Sequence, residues 1–183
     1  FGMPHNGADI CGYAGTPTSE LCTRWTQLGV FYMFARNHHE KDTGRQEPFL
    51  FKERYRASMI DAIRFRYTVL KHFYTLFVSK GGVGTLIKPL FFEFPNDENL
   101  LRFQNMDTVK YVEEQFMVGK SMMVAPVLYP SQDVTDVYFP EGAWYNLLTS
   151  EKMQGFKENR NKSISTPITT MIPVFIRGGW IIM

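Results

Sequence analysis

The sequence has no long hydrophobic run and no strong excess of charge of one sign. No stretch approaches the roughly 20 consecutive apolar residues of a transmembrane helix, and no basic segment leads into an apolar one near the N-terminus. The 20 Lys and Arg residues and the 18 Asp and Glu residues are mixed along the chain, for a formal net charge of +2. We therefore expect no signal peptide or membrane segment in this chain, and no nucleic-acid partner.

Motifs for metals and cofactors are also missing. No His, Cys and acidic residues have the spacing of metal ligands, and no glycine-rich loop has the form that binds dinucleotides or phosphates. The sequence therefore predicts no metal and no cofactor. The two cysteines, Cys11 and Cys22, are close enough in sequence for a disulfide if their side chains face each other, but two cysteines alone leave the pairing open.

What the sequence does contain is enough apolar material for a folded core. Of its 183 residues, 44% are hydrophobic and 15% are aromatic. This length suits one domain of ordinary size or two small ones. Aromatic residues suit buried strands as well as surfaces that stack on sugars, so composition gives only a weak indication of a carbohydrate ligand.

The first part of the chain predicts a strand, a loop and a helix. Residues 8–11 form an apolar run that ends at Gly12, and Thr18 or Ser19 is suited to cap a helix. Apolar residues then recur at helical spacing and predict one buried stripe on that helix, formed by Leu21, Trp25, Leu28 and Tyr32. The following residues, 36–47, are polar and charged, and we expect no regular element there.

The middle of the chain continues this alternation. Residues 53–80 repeat apolar side chains every three or four positions and predict one long helix that stops at the glycine pair 81–82. Residues 85–95 are almost continuously apolar, as in a strand buried on both faces, although Pro89 would interrupt an antiparallel ladder. A helix is expected over residues 107–118. Alternating strands and helices are typical of parallel βα units.

After Gly119 the pattern changes to short strands separated by Pro, Gly, Asp and Asn. Five strands are predicted, over residues 121–128, 135–139, 142–148, 163–166 and 171–176. They indicate a β-sandwich, so we place a domain boundary between an α/β part, residues 1–118, and an all-β part, residues 119–183. Because the last residues, 178–183, are apolar, we expect the chain to belong to a longer polypeptide.

A more specific pattern begins near the N-terminus. Residues 7–13 read Gly-Ala-Asp-Ile-Cys-Gly-Tyr, and residues 31–38 read Phe-Tyr-Met-Phe-Ala-Arg-Asn-His. Other blocks follow in a fixed order, among them Leu21-Cys22, Arg24-Trp25, Leu28-Gly29, Gln46-Glu47-Pro48, Arg66-Tyr67, residues 89–95 and Ile176-Arg177-Gly178-Gly179. Together they resemble glycoside hydrolase family 31, and its lysosomal and intestinal α-glucosidases in particular. Departures from the family pattern are Val30, Met33, Lys71 and the pair His5-Asn6.

The resemblance implies a (β/α)8 barrel followed by a β-sandwich. Residues 7–13 would be barrel strand seven and residues 89–95 strand eight, so the chain would hold the last two βα units of the barrel and part of the C-terminal sandwich. Family members cleave glycosides with two carboxylates, a nucleophile and an acid/base, carried by Trp-x-Asp-Met-Asn-Glu and Gly-Asp-Asn motifs. Neither motif occurs in these 183 residues. We therefore expect no catalytic residue here and no turnover by this chain alone.

The resemblance also implies three residues that meet the sugar. His38 stands where relatives place a histidine that hydrogen-bonds a glucose hydroxyl. Asp9 is expected at the pocket, at the end of its strand, and a salt bridge with Arg36 is the alternative. Tyr13 stands where relatives pack an aromatic ring on the sugar, and ordinary loop packing is the alternative.

Other candidates are interpreted as structural. Trp25 is expected in the core, and His39 is expected to face solvent or to support its loop. Glu93 and Asp97 are expected to form ion pairs with helices rather than to act as a catalytic pair.

Two further features concern the cellular compartment, one implied by the resemblance and one given by a sequence triplet. Cys11 and Cys22 match a pair that is bridged in lysosomal-type relatives, which implies a disulfide. Asn161-Lys162-Ser163 is an acceptor triplet for N-glycosylation, within the expected exposed loop 157–162. Both features imply a lysosomal, secreted or other luminal or extracellular compartment.

The resulting hypothesis is one wall of the glucose pocket of a retaining α-glucosidase. Its substrates would be oligosaccharides that end in α-linked glucose, such as maltose, starch or glycogen fragments, and its partner would be the remainder of the same polypeptide. The alternatives are a non-catalytic carbohydrate-binding or structural fragment, or another family specificity such as an α-xylosidase or the glucosidase that trims N-glycans.

Overall fold

The computed structural model of the chain describes residues 3–79, 81–101, 111–155 and 160–182. Its first part combines short parallel strands with helices, and its second part is built mainly of antiparallel strands. Within the described ranges, no helix combines the length and the apolar character that a membrane crossing requires.

Two successive strand and helix pairs open the fold. They comprise β1 (Asp9–Ile10), α1 (Ser19–Gly29), β2 (Arg36–Asn37) and α2 (Glu53–Ser79). β1 and β2 are parallel, with Asp9 opposite Arg36 and Ile10 opposite Asn37. Parallel strands need a long connection, which α1 provides. The segments that follow β1 and β2 therefore leave the strands on the same side of the pair.

The ends of α1 are held by specific contacts. Thr18 caps its start, because the side-chain oxygen accepts a hydrogen bond of 3.1 Å from the backbone N–H of Leu21. Near its end, Arg66 of α2 donates to the carbonyls of Val30 and Tyr32. These bonds satisfy carbonyls that have no partner within the helix, and they attach α1 to α2.

The apolar stripe predicted for α1 is not the face that the helix buries. Leu21 is 46% exposed, and Trp25, Leu28 and Tyr32 are only partly buried. With residues 127–130 they line an open cavity of about 480 Å³. The prediction of a buried stripe was therefore wrong, since helical periodicity identifies an apolar face but not what covers it.

The buried face of α1 is instead largely polar. Arg24 donates to the carbonyls of Thr166 at 2.6 Å and Gln132 at 3.0 Å, and Gln27 donates to that of Thr170 at 2.8 Å. Backbone carbonyls of the C-terminal half thus accept from both buried side chains, whereas Arg24 Nε is buried without a hydrogen-bond partner in the described residues. Hydrogen bonds as well as apolar packing therefore join α1 to the second part of the chain.

In the described residues after α2, the chain forms two sheets and two short helices, besides a helical segment at residues 111–113. In chain order these elements are β3 (Ile87–Pro89), α3 (Leu90–Glu93), α4 (Glu98–Leu101), β4 (Phe116–Val118), β5 (Met122–Val124), β6 (Val134–Tyr138), β7 (Gly142–Asn146), β8 (Lys152–Gly155), β9 (Asn161–Ser165) and β10 (Val174–Arg177). One sheet has the order β3-β4-β5-β10-β7-β8, and the other pairs β6 with β9. All pairs in both sheets are antiparallel.

The larger sheet is covered on both faces. Alternate side chains point to opposite sides of a strand. One set, Val118, Met122, Val124 and Val174, packs on Ala62, Val69 and Phe73 of α2. The other set, Met117, Met123, Trp144 and Phe175, packs on Val137 and Tyr138 of the smaller sheet. The two sheets thus share one core, and α2 closes the other side.

Residues 85–95 do not form the long strand that was predicted. β3 spans three residues and pairs antiparallel with β4, while α3 begins directly after Pro89. Proline has no N–H to continue a ladder, and its φ of −64° suits the residue before a helix. The strand that lies parallel to β1 is β2, in the segment where no regular element was expected.

Two other expectations concern neighbouring segments. Of the helix predicted over residues 107–118, residues 107–110 lie outside the described residues, residues 111–113 are helical, and residues 116–118 form β4 instead. The domain boundary between residues 118 and 119 stays a prediction. It would run between β4 and β5, which pair with each other.

Candidate functional site

Two loops meet where β1 and β2 end. The loop after β1 carries Tyr13, and the loop after β2 begins at His38. The centroids of the Tyr13 and His38 rings lie 5.4 Å apart, with 38° between the ring planes. The backbone N–H of Glu40 donates to the carbonyl of Tyr13 at 3.0 Å, which joins the loops directly. Two of the three predicted sugar-binding residues are therefore neighbours.

Both rings are open to a ligand. Tyr13 is 49% exposed and His38 is also exposed. A phenol ring offers an apolar face with a hydroxyl at its edge, and an imidazole offers hydrogen bonds from its ring nitrogens. This pair can contact the carbon face of a sugar and one of its hydroxyls.

Asp9 forms an ion pair with the residue opposite it in the strand register. Its Oδ1 atom lies 2.7 Å from Nε and 2.6 Å from Nη2 of Arg36. The Asp9 side chain is 19% exposed and that of Arg36 is 49% exposed. The alternative for Asp9, a salt bridge with Arg36, is thus present. Asp9 lies at the β1–β2 pair that also carries the Tyr13 and His38 loops.

Aromatic residues continue the site beside this ion pair. The guanidinium of Arg36 lies 5.2 Å from the centroid of the Phe34 ring, and the ring of His5 lies 5.5 Å from Phe34. Gly7 allows this arrangement, because a Cβ atom there would lie 2.0 Å from the carbonyl oxygen of Phe34. The glycine of the Gly-Ala-Asp motif is therefore required by close approach of two backbones.

The Cys11–Cys22 disulfide is present in the structure, as the resemblance implied. Both half-cystines are buried, and the bond ties the end of β1 to α1. Cys11 and Gly12 have φ values of +75° and +88°, and the N–H of Gly12 donates to the carbonyl of Asp9 at 3.0 Å. The chain therefore turns sharply after Ile10 and directs Tyr13 toward the second loop.

Two side-chain amides that sequence reasoning did not single out as site residues lie next to this region, the exposed Asn37 and the buried Gln46. The Gln46 side chain, which is 1% exposed, donates to Asn37 Oδ1 at 2.9 Å, and Asn37 donates back to the carbonyl of Gln46 at 3.1 Å. The sequence held a signal for both, since each falls in a family block. The pattern of residue types did not reveal that a glutamine in a charged loop is buried.

Other predicted residues have structural contacts. His39 Nδ1 lies 2.7 Å from the carbonyl oxygen of Glu40, so His39 supports its own loop. Glu93 pairs with Lys88 at 2.7 Å and Arg177 at 3.0 Å. His39 therefore has the loop-supporting role expected of it. Glu93 forms ion pairs as expected, but its partners lie on β3 and β10 and not on helices.

Asp97 belongs to a cluster with Arg160 and Tyr138. Burial, helped by the neighbouring Asp97 carboxylate and opposed by Asn99 and Arg160, raises the pKa of Tyr138 to about 12. This cluster links the residue before α4 to the smaller sheet, so Asp97 has a structural role, although its ion-pair partner Arg160 does not lie on a helix as expected. Trp25 packs partly against the cluster of Ile10, Cys11, Cys22 and Met59, so it is a half-buried residue rather than a fully buried one.

The glycosylation triplet lies on a strand and not in a loop. Asn161, Lys162 and Ser163 belong to β9, and all three side chains are exposed. Residues 157–159, the first part of the expected loop 157–162, lie outside the described residues. In the described ranges there is no group of three or more His, Cys, Asp and Glu side chains arranged to hold a metal ion.

Comparison with known proteins agrees with the sequence blocks. Residues 1–76 match the model of the glycosyl hydrolases family 31 TIM-barrel domain, and residues 84–182 match that of the glycosyl hydrolase family 31 C-terminal domain. This chain belongs to glycosyl hydrolase family 31. Family 31 membership accounts for an α/β part followed by antiparallel sheets.

Individual relatives agree with this family membership. A lysosomal acid α-glucosidase from Tetrahymena pyriformis is 38% identical over 98% of this chain and 20% of its own length. A lysosomal α-glucosidase from Rattus norvegicus is 43% identical over 80% of this chain and 15% of its own length. The crystal structure of a glucosidase II alpha subunit in a Glc1Man2-bound form has a TM-score of 0.83 and 32% identity, over 94% of this chain and 18% of that chain. The chain thus spans about a fifth of the length of such relatives.

Proposed function

We propose that this chain forms one wall of the glucose-binding pocket of a retaining α-glucosidase. The observation that carries the proposal is the contact between Tyr13 and His38, whose rings lie 5.4 Å apart beside the Asp9–Arg36 pair. The names of the relatives, α-glucosidases of lysosomal and other types, support the substrate class. The substrates are oligosaccharides with a terminal α-linked glucose, of the maltose, starch or glycogen type.

In this mechanism the chain binds and orients the sugar. The Tyr13 ring packs on the carbon face of the glucose unit, and a ring nitrogen of His38 hydrogen-bonds one hydroxyl. Asp9 keeps Arg36 in place and presents its remaining carboxylate oxygen to the pocket. A sugar held at several points reacts faster, because binding has already fixed the orientation that the transition state requires.

The bond-breaking groups lie elsewhere in the proposed enzyme. Retaining glycosidases use one carboxylate as nucleophile and a second as acid/base, about 5 Å apart. The family motifs for both are absent from these 183 residues, so the remainder of the same polypeptide supplies them. The proposed enzyme therefore works only as the longer protein.

The proposed compartment is lysosomal, secreted or otherwise luminal or extracellular. The disulfide supports it, since such bonds persist in oxidising compartments. The exposed Asn161 on β9 is the proposed site of N-glycosylation. The names of lysosomal relatives support the same compartments.

A second candidate, the trimming of glucose from N-glycans, is favoured by one observation. The fold of this chain is similar to part of the glucosidase II alpha subunit, over 94% of the residues of this chain and with 32% identity. Rates of the longer protein on maltose, on a glucosylated high-mannose glycan and on an α-xyloside separate these specificities. The α-glucosidase proposal expects maltose to be preferred.

The direct test of the pocket is a variant at His38 in the longer protein. Loss of one sugar hydrogen bond, worth about 1–3 kcal/mol, lowers kcat/KM by about 5- to 150-fold in His38→Ala. His39→Gln is the matched control, because His39 contacts its own loop and not the Tyr13 ring. Equal activity of His38→Ala and the wild type would contradict the proposal. The 183-residue chain alone is expected to release no product from a chromogenic α-glucoside.

A further inference from the structure

A buried glutamine lies beneath the residues of the proposed pocket and is not part of their contact with sugar. Four oxygen atoms surround the side-chain nitrogen of Gln46. They are Asn37 Oδ1 at 2.9 Å and the carbonyl oxygens of Gly12 at 3.2 Å, His38 at 3.2 Å and Ile10 at 3.4 Å. An amide nitrogen has two hydrogens, so it shares them among these acceptors.

The acceptors belong to the ends of both parallel strands. Ile10 ends β1 and Gly12 lies one residue before Tyr13, while Asn37 ends β2 directly before His38. One side chain therefore joins the two places where the pocket loops leave the strands. Asn37 Nδ2 also lies 3.6 Å from Cys11 Sγ at these strand ends. The hydrogen bonds from Glu40 to Tyr13, from Gly15 to Glu40 and from Gly44 to Thr16 lie farther along the loops.

The surroundings also determine which way the amide points. In the described part of the chain, the four hydrogen-bond partners of Gln46 Nε2 are all oxygens, and Gln46 Oε1 is buried without a hydrogen-bond partner. Only a donor fits at the Nε2 position. A carboxylate there would face four oxygens, and an apolar side chain would leave buried carbonyls without this donor.

From this arrangement we infer that Gln46 is a positioning residue of the glucose pocket, whose side-chain N–H groups hold the Tyr13 and His38 loops at the separation that binds sugar. The inference rests on the proposed function, since it concerns the same pocket. Gln46 touches no substrate and acts through the backbone on either side of the two rings.

The test is Gln46→Met in the longer protein, with p-nitrophenyl α-glucoside as substrate and free glucose as competitive inhibitor. The variant keeps the volume of the side chain but removes the donor. KM and the glucose inhibition constant should both rise about 10-fold, because displacement of the two loops removes binding free energy equal to about one hydrogen bond between pocket and sugar. kcat should change by less than about 3-fold, because the carboxylates that break the bond lie elsewhere.

The chain offers a matched control at Gln115. This glutamine is equally buried, donating to the carbonyl of Tyr138 at 2.8 Å and accepting from its N–H at 2.9 Å, in the C-terminal sheets. Gln115→Met should lower the melting temperature and leave KM and the glucose constant unchanged. If Gln46→Met lowers the melting temperature in the same way without changing either constant, its role is only structural and the inference is overturned.

A second variant decides the question if Gln46→Met does not fold. Gln46→Glu keeps the shape and gains a donor only when its carboxyl is protonated. The ratio of its KM to that of the wild type should therefore fall as the pH is lowered from about 7 to about 5. A ratio that does not change with pH overturns the inference. The result for His38→Ala distinguishes this failure from failure of the proposed function. If the proposed function is wrong, His38→Ala leaves the glucose inhibition constant unchanged, and the inference about Gln46 is then wrong as well.

Discussion

Asp9 and Arg36 face each other across the parallel strands β1 and β2, and one carboxylate oxygen of Asp9 accepts from both Nε and Nη2 of Arg36. The pair therefore links the two strands whose loops carry Tyr13 and His38. Because Arg36 is 49% exposed, solvent screens the pair, and its role in stability is smaller than its role in orientation.

A double-mutant cycle on Asp9 and Arg36 tests this relationship. Asp9→Asn and Arg36→Met, alone and combined, should show a coupling free energy of unfolding of about 0.5–1 kcal/mol by urea denaturation. Arg36→Lys should recover little of it, since an ammonium cannot replace the two neighbouring donors of a guanidinium. The exposed pair Asp61 and Arg64 serves as control, and a coupling no larger than that of the control would contradict the prediction.

Removal of the disulfide is predicted to lower the stability of the fold measurably. Cys11→Ser with Cys22→Ser should lower the free energy of unfolding by about 2–3 kcal/mol, the value for closing a loop of this length in the chain-entropy account. Intact mass before and after reduction checks the bond itself, through a gain of about 2 Da from two added hydrogens. Free thiols that react with iodoacetamide in the native protein would contradict the prediction.

The close backbone approach at Gly7 predicts a large loss of stability when one methyl group is added there. In Gly7→Ala the new Cβ would lie 2.0 Å from the carbonyl oxygen of Phe34, so the backbone next to the Asp9 strand has to move. We expect the free energy of unfolding to fall by about 3 kcal/mol or more, at the upper end of the losses that overpacking causes. Gly15→Ala is the control, because no atom lies within 4 Å of a Cβ there, and its φ of +77° alone costs about 1–2 kcal/mol. Similar losses in both variants would argue against the close approach.

His72 predicts a dependence of stability on pH. It is 5% exposed, its Nε2 atom lies 3.3 Å from the Ser121 hydroxyl, and burial lowers its pKa below the usual 6.5. The unfolded chain therefore takes up a proton near pH 6.5 while the folded protein does not. Stability is complete above pH 6.5 and is lost as the pH falls from there to the pKa of the folded protein.

The measurement is urea denaturation of the wild type and His72→Gln between pH 7.5 and pH 5. Between the two pKa values the contribution of one group has a slope of at most about 1.4 kcal/mol per pH unit, and His72→Gln should lack it. His39→Gln, in the loop, is the control for losing a histidine. An unchanged slope in His72→Gln would show that other groups cause the pH dependence.

Local features of the fold were predictable because they depend on neighbouring residues. A hydroxyl residue before an apolar helical pattern predicted the start of α1, and Thr18 does cap it. Glycines after the long periodic run predicted the end of α2. The alternating runs after residue 119 predicted β6, β7 and β9 close to their positions, because turn residues mark the ends of strands. The family blocks carried the disulfide, which cysteine spacing alone left open.

Other features depended on contacts between distant residues. β2 is two residues long and both are exposed, so no hydrophobic period marks it, and only its pairing with β1 makes it a strand. Residues 85–95 are apolar enough for a strand, but Pro89 cannot continue the ladder and α3 begins after it. Gln46 is similar, since a polar residue in a charged loop is buried only because four acceptors from two strand ends surround it.

The sequence by itself determined the family, the order of helices and strands in most of the chain, and the residues offered for sugar binding. Composition, turn residues and motif blocks are local properties, and they can be read without coordinates. Only the tertiary structure decided that Asp9 pairs with Arg36, that Tyr13 and His38 are neighbours, and that α1 buries Arg24 and Gln27. The physical reason is that burial and hydrogen bonding depend on which distant segments come together.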